Sequence, residues 1–458
     1  ICATMLSSLL FAPGVPATAV AAPTGSYHGS KSILGISISA GVKIDGATTM
    51  DLTVGGAATI DCSAEKYSYD GSSAITLPGM GSAGDCVHDA LAKESGLSIK
   101  SITYDSGADS IDVTAKYDFI SVTVKLTKSA RAGLLGATHN VETAAERDQM
   151  FEEFVAAHGR TYTAAERSAR RAIFEENLEL MTQRNVDGEL GIHWINKFAD
   201  VAEEEFRATH MGYLPRANTT AVDDELDMAL TPSADASTVD WRSHSPAILT
   251  PVKDQGQCGS CWAFSATEQI ETNVAMATGH LYTLAPQQIV SCDKTDLGCN
   301  GGNTETAYEY VSKSGLEAES SYPYKSGNSG NTGRCEYNSA KTVVSISSYK
   351  SVSKKKSSEG KMLTQIAKSP ISVCVDAGKW QTYRRGVLGR TCGTSLDHCV
   401  QAVGYNAPGG YWVVRNSWNT DWGIKGYIYV KEGIDACGIA KDATIVTGAS
   451  VSTPVEVA

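Results

Sequence analysis

The run Gln255-Gly256-Gln257-Cys258-Gly259-Ser260-Cys261-Trp262-Ala263-Phe264-Ser265 constrains this chain more than any other stretch. Two cysteines stand three apart, behind a glycine-rich loop and directly before an amphipathic run. From Cys261 onward, Phe264, Ile270 and Val274 fall near helical spacing among Glu268, Gln269 and Glu271. Cys261 is therefore expected at, or just inside, a helix N-terminus. Unpaired N–H groups and the positive end of the helix dipole favour thiolate over thiol there. A thiolate is a nucleophile, and it needs a second group to handle protons. Read instead as a CxxC metal or redox pair, the two cysteines would want a second ligand pair at matching spacing, and the sequence offers none.

The signature Cys258-Gly259-Ser260-Cys261-Trp262, with a His and an Asn far downstream, resembles the surroundings of the catalytic cysteine in papain-like proteases. The resemblance covers roughly residues 145 to 447. It implies an α+β fold of two lobes, one helical and carrying Cys261, the other β-barrel-like. His398 lies in Leu396-Asp397-His398-Cys399, before an apolar, small-residue run of buried-strand character. Asn416 ends another such run, in Val413-Val414-Arg415-Asn416-Ser417-Trp418. The family match implies that Cys261 attacks the peptide carbonyl and that His398 carries the protons. Asn416 would orient the imidazole, and Trp418 would shield that hydrogen bond. Gln255 would give its side-chain amide to an oxyanion hole beside the Cys261 N–H.

The resemblance also implies disulfides Cys258–Cys299, Cys292–Cys335 and Cys392–Cys437. Cys374 and Cys399 depart from the usual pattern. Alignment puts both under the pocket for the second residue on the acyl side of the cut (the S2 pocket). They are expected within touching distance, either bonded or as two independent buried thiols. Gly301 and Gly302 should let backbone pair with an extended substrate. Asn303, Thr304 and Glu305 replace the aromatic or apolar residues of many relatives. Asp442 falls where some relatives place an acid, so a polar S2 pocket is expected, with Leu396 and Asp397 at its side. Asn419 follows Trp418 where relatives usually have Gly.

Upstream, residues 145–212 read as an inhibitory propeptide. Glu166, Arg170, Phe174, Asn177, Met181 and Asn185 keep helical spacing, and Asn196-x-Phe198-x-Asp200 follows. Both resemble the propeptide of cathepsin L-like enzymes, with Trp194 where the family usually has Gly. Falling pH should loosen this segment as its charge pairs and Asp200 begin to protonate. Residues 213–238 read as an activation linker cut between about Leu230 and Thr238, and Asn218-Thr219-Thr220 is a glycosylation sequon. Asp240-Trp241-Arg242 resembles the start of a mature enzyme, so residues 239–447 form the peptidase domain and 448–458 a tail.

Residues 1–22 have a short apolar core and an Ala-x-Ala ending, as in a secretory signal. Residues 25–130 alternate in the β manner over 32–38, 50–54, 98–102, 110–113 and 119–124, with one short helix from Asp85 to Gly96. They predict a small all-β barrel or sandwich, bridged by Cys62 and Cys86. This module carries no catalytic constellation. Delivery of the protease to a glycan, lipid or surface partner is the alternative role open to it. Lys350–Lys361 reads as a solvated loop.

Twelve cysteines, nine of them after residue 257, fit an oxidising compartment: secreted, lysosomal or vacuolar. The net charge of −12 argues against nucleic acid or anionic membrane as partner. The expected partners are protein and peptide substrates and the chain's own propeptide. The enzyme is expected to be a monomeric endopeptidase with no metal, cofactor or membrane span.

Overall fold

A computed structural model describes residues 21–46, 48–56, 59–94, 96–128, 142–187, 191–216, 226, 231–354, 359–390 and 392–452. The signal-like segment 1–20 and the sequon at Asn218 lie outside the described residues, as does most of the linker between 217 and 230. The chain forms two compact units, Ile1–Arg160 and Thr161–Ala458.

The first unit is built on one antiparallel sheet: β1 (Gly25–Ile33), β2 (Ile36–Ile44), β3 (Thr49–Gly55), β4 (Ile60–Lys66), β5 (Ser68–Tyr69), β6 (Ala74–Thr76), β7 (Leu97–Asp105), β8 (Ser110–Tyr117) and β9 (Ile120–Lys128). Their order is β4-β3-β2-β1-β9-β8-β7-β6-β5. Alternation decides which face is inside: along β9, Ile120, Val122, Val124 and Leu126 are buried and the residues between them are not. Helix α1 (Cys86–Lys93) starts where Asp85 caps the N–H groups of Val87 and His88. It is tied to β4 by the Cys62–Cys86 disulfide. The run 32–38 is not one strand, as its pattern had suggested. Leu34 (φ 50°) and Gly35 (φ 76°) turn the chain left-handed between β1 and β2, the geometry of a tight hairpin. A second helix, α2 (Ala144–Ala157), belongs to this unit, which runs to Arg160.

The second unit opens with α3 (Ala164–Val186). A capping box between Thr163 and Glu166 fixes its start. β10 (Ile192–His193) and α4 (Glu203–His210) follow. Next come α5 (Cys261–Thr278), α6 (Pro286–Cys292) and α7 (Thr304–Ser314), packed around Trp262, Ile270, Val274, Ile289, Tyr308 and Val311. Gly279 ends α5 in the left-handed conformation (φ 77°), which a residue without Cβ adopts freely. The other lobe is a sheet of β11 (Val239–Asp240), β14 (Ser348–Ser353), β15 (Ile371–Val375), β17 (Val387–Leu388), β18 (His398–Asn406), β19 (Tyr411–Arg415), β20 (Tyr427–Lys431) and β21 (Ala443–Thr447). The short strands β12 (Leu316–Glu317), β13 (Thr342–Ser345), β16 (Tyr383–Arg385) and β22 (Ser450–Val451) lie outside that sheet. β22 pairs with β13, so the tail continues as strand beyond 448.

Helix α5 is not amphipathic. Glu268, Gln269 and Glu271 are as buried as its apolar residues, because the helix lies between the two lobes. The fully buried Arg415 compensates them. Its guanidinium faces Glu268 at 3.4 Å and donates to the Thr250 carbonyl at 2.7 Å and to Gln401 at 2.6 Å. Lys253 pairs with Glu271 at 3.0 Å. Arg415→Ala would leave a buried carboxylate uncompensated wherever Glu268 is ionised, so a loss of about 3–5 kcal/mol in urea unfolding at about pH 9 is expected. Burial pushes the Glu268 carboxyl up to about 7, although Arg415 opposes this. The penalty should therefore shrink as pH falls toward 7 and Glu268 takes a proton.

Candidate active site

Cys261 is the first residue of α5, fully buried, and the one free cysteine among the described residues. Its sulfur faces the backbone N–H groups of Cys399, Gly212 and Trp262. Cys399 directly follows His398 on β18. The His398 ring is buried, and its Nε2 lies 2.8 Å from Asn416 Oδ1. Trp418 covers that imidazole with ring centroids 4.8 Å apart. Gln255 is held in place from one end, since its Oε1 accepts from Ser417 Oγ at 2.7 Å and from Trp418 Nε1 at 3.2 Å. Its Nε2 donates to the Cys258 carbonyl at 3.0 Å and to the His210 carbonyl at 3.1 Å.

The residues around His210 belong to the upstream segment, and they lie across this site. Gly212 and Tyr213 donate their N–H groups to the Asp397 carbonyl at 2.9 and 3.0 Å. Gly302 N–H donates to the Gly212 carbonyl at 2.8 Å, and Leu214 N–H to the Gly302 carbonyl at 2.8 Å. Such approach requires glycine: a Cβ on Gly302 would meet the Trp262 ring at 2.6 Å. Gly301 has φ 110°. Before reaching the site the segment is anchored on residues 381–385. β10 pairs with β16, and Asn196 donates to the Gln381 carbonyl at 2.9 Å. Trp194, the departure noted above, is buried, with its N–H on the Thr382 carbonyl at 2.9 Å. Phe206 and His210 stack with centroids 4.7 Å apart, and Phe206 meets Trp418 edge-on at 5.1 Å.

Beside Gly302 lies an acidic pocket. Asp442 accepts from Tyr213 OH at 3.1 Å and from Lys354 Nζ at 3.2 Å. Glu305, buried, pairs with Lys354 and faces Arg216 at 3.5 Å. Lys354 is thus not part of a solvated loop. Within 350–361, Lys350 to Ser353 close β14, Lys354 enters the pocket, and a helix begins at Glu359. Asn303 caps α7 through the Glu305 N–H at 2.8 Å and donates to the Leu214 carbonyl at 3.2 Å. Thr304 is buried in the first turn of α7. Asp397 holds the Ala377 N–H at 2.8 Å, and burial pushes its carboxyl up to about 6. Leu396 beside it is half-buried. Asn419 takes the left-handed conformation (φ 63°) that the usual Gly would adopt.

All three disulfides implied by resemblance are present, and Cys374–Cys399 is a fourth in this unit. These two cysteines face each other directly in the β15–β18 register, with Cα atoms 4.0 Å apart. Cys374 N–H donates to the Asp442 carbonyl at 2.8 Å, which puts the bridge at the acidic pocket.

Residues 236–447 match the papain family cysteine protease profile, and residues 151–206 match the cathepsin propeptide inhibitor domain (I29). Cysteine proteinase 5 of Dictyostelium discoideum is 36% identical over 321 residues, covering 64% of this chain and 90% of that protein. The chain belongs to the papain family of cysteine proteases. Probable cysteine protease RD21B of Arabidopsis thaliana is 37% identical over 326 residues, 67% of this chain and 68% of the relative. Among solved structures, digestive procathepsin L2 from Tenebrio molitor larval midgut aligns with TM-score 0.58 and 30% identity. It covers 66% of this chain and 99% of its own. Recombinant stem bromelain precursor aligns with TM-score 0.56 and 32% identity, over 66% and 98%. This papain-family member is a cysteine protease zymogen carrying its own inhibitory propeptide. Among the described residues, no helix is long and apolar enough to cross a membrane.

Two functional features escaped the sequence reading. Lys354 was hidden in a lysine run that composition alone assigns to solvent. His193 and His210 carry no motif, and only their burial in the propeptide–enzyme contact marks them.

Proposed function

We propose that the mature protein is an endopeptidase acting through Cys261, His398 and Asn416, with Gln255 in the oxyanion hole. One observation supports this above the rest: the propeptide lays the His210 carbonyl against the Gln255 amide, where a substrate carbonyl would sit. In the closed chain, burial pushes the Cys261 thiol up to about 12 and the His398 imidazole down to about 4. Both shifts favour the neutral pair, so the zymogen rests as thiol and imidazole. Removing the propeptide lets water reach both groups. The proton then passes from Cys261 to His398, and the thiolate attacks the scissile carbonyl. The C–S bond forms, and the tetrahedral oxyanion is met by the Gln255 amide and the Cys261 N–H. His398 gives the proton to the leaving amine as the C–N bond breaks. Water, deprotonated by the same imidazole, then releases the acyl group and restores the thiol. Asn416 keeps the ring turned so that Nδ1 faces the nucleophile.

Asp442 and Glu305 are two carboxylates against the single cation Lys354, so S2 stays net acidic and favours a basic side chain beside the apolar residues the cleft accepts. The linker that follows the propeptide supports this, since it presents Arg216 to Glu305. Asp442→Ala should lower kcat/KM by about tenfold for a substrate with Arg at the second acyl-side position, the value of one charged hydrogen bond. The Leu substrate should change little. Equal ratios in wild type and variant would refute the acidic-pocket assignment. We place the activating cut in the linker before Thr238 and the enzyme in the secretory pathway as a monomer.

An acid-activation time course of the full chain, with epoxide titration of the thiol and N-terminal sequencing, tests the whole reading. Full activity of the uncleaved chain at neutral pH would overturn it.

A further inference from the structure

The sheet of the first unit carries α2 on its surface, and α2 overlaps the start of the inhibitor domain at residue 151. Three kinds of contact hold it. Lys31, nearly buried on β1, pairs with Glu146. The Ser121 N–H at the start of β9 donates to Glu153 at 2.7 Å. Phe119, at the β8–β9 turn, meets the His158 ring edge-on at 4.9 Å and the Phe154 ring at 6.3 Å. At the other end, Glu142 accepts from the Leu34 N–H in the β1–β2 turn at 3.4 Å and pairs with Arg147 on α2 at 3.6 Å. Met150, Phe151 and Phe154 of α2 are buried. On its own, a helix of 14 residues would be marginal in water; most helical stability comes from the surface it packs on.

We propose that the β domain is a brace for the propeptide: its sheet is the interaction surface, and its partner is the chain's own α2. The brace keeps the first inhibitor helix folded, slows the opening of the zymogen, and leaves with the propeptide on activation. The inference rests on autoinhibition by the propeptide, as proposed above.

The test uses the full chain at a fixed acid pH, following the half-time of activation and the fate of the fragments. Lys31→Ala and Glu153→Ala combined should shorten the half-time about fivefold, as expected for losing two partly exposed charged contacts. The mature enzyme released should have wild-type kcat/KM. After any cut between 129 and 141, residues 25–128 should co-elute with the propeptide fragment in wild type and separate from it in the double variant. Lys43→Ala, which breaks an exposed ion pair with Asp45, is the control and should change neither readout. A wild-type half-time in the double variant overturns the brace. So does a wild-type β domain that elutes apart from the propeptide. If wild type itself shows no lag, autoinhibition fails first, and the two failures are told apart.

Discussion

Replacing Cys261 by serine is expected to lower peptide hydrolysis by about four to six orders of magnitude, the usual cost of removing the nucleophile from a catalytic triad. A hydroxyl holds its proton far more tightly than a thiol, so an imidazole draws it off less readily. The His398 ring has one nitrogen committed to Asn416 and is covered by Trp418, so it cannot swing to suit a shorter C–O bond. The change should leave the fold intact. Cys261 makes no disulfide, and serine is slightly smaller. The variant zymogen should therefore stay uncut at acid pH by itself, yet be cut by a trace of wild-type mature enzyme. Thermal unfolding within a few degrees of wild type would show that chemistry, not folding, was lost. Retention of more than about a hundredth of wild-type hydrolysis would remove Cys261 from the mechanism.

The proposed catalytic residues were legible because each sits in a short local motif whose neighbours are there for backbone reasons. Gly259 and Gly302 permit close approach, Ser260 precedes a helix start, and Trp418 follows Asn416 at the end of β19. Burial was less legible. Glu268 and Glu271 look like a solvated helix face; their burial is made tolerable by Arg415, more than a hundred residues later, by Lys253 and Thr250 before α5, and by the Leu284 N–H after it. Hydrophobic periodicity reports the average side of an element, not the partner that a distant strand supplies. The β1–β2 hairpin was missed for a related reason. Leu34 carries an apolar side chain, completely buried, through a conformation usually left to Gly or Asn, so the turn looked like strand. The brace on α2 had no sequence signal at all, because a helix that binds a sheet reads like any other amphipathic helix.

Replacing His193 by glutamine and His210 by phenylalanine together is expected to move acid activation to lower pH and flatten its pH dependence. Both residues belong to the propeptide, and both are buried where it meets the enzyme. Burial pushes each imidazole down to about 3. Arg184 and Lys379 around His193, and Lys197 and His398 around His210, push the same way. His193 Nδ1 lies 3.0 Å from Thr382 Oγ1, a bond glutamine can keep; His210 is wedged between Phe206 and Trp418, where a phenyl ring fits. A base whose pKa falls on closure must stay neutral for the closed form to persist. The closed form is thus at full stability above about pH 6.5 and loses it as pH falls toward 3. At about pH 4.5 each histidine biases opening by up to about a hundredfold, and the pair by up to about ten-thousandfold. The carboxylates pull less. Arg170–Glu205 and Arg207–Glu203 are exposed pairs of small worth, and Asp397, raised to about 6 by burial, favours closure as it protonates. The histidines therefore set the sign of the response, and the charge pairs invoked from sequence are secondary. Activation half-times from pH 7 to 4 should fall steeply in wild type and only gently in the double variant, with equal half-times near neutrality. Parallel curves would mean that another group carries the switch.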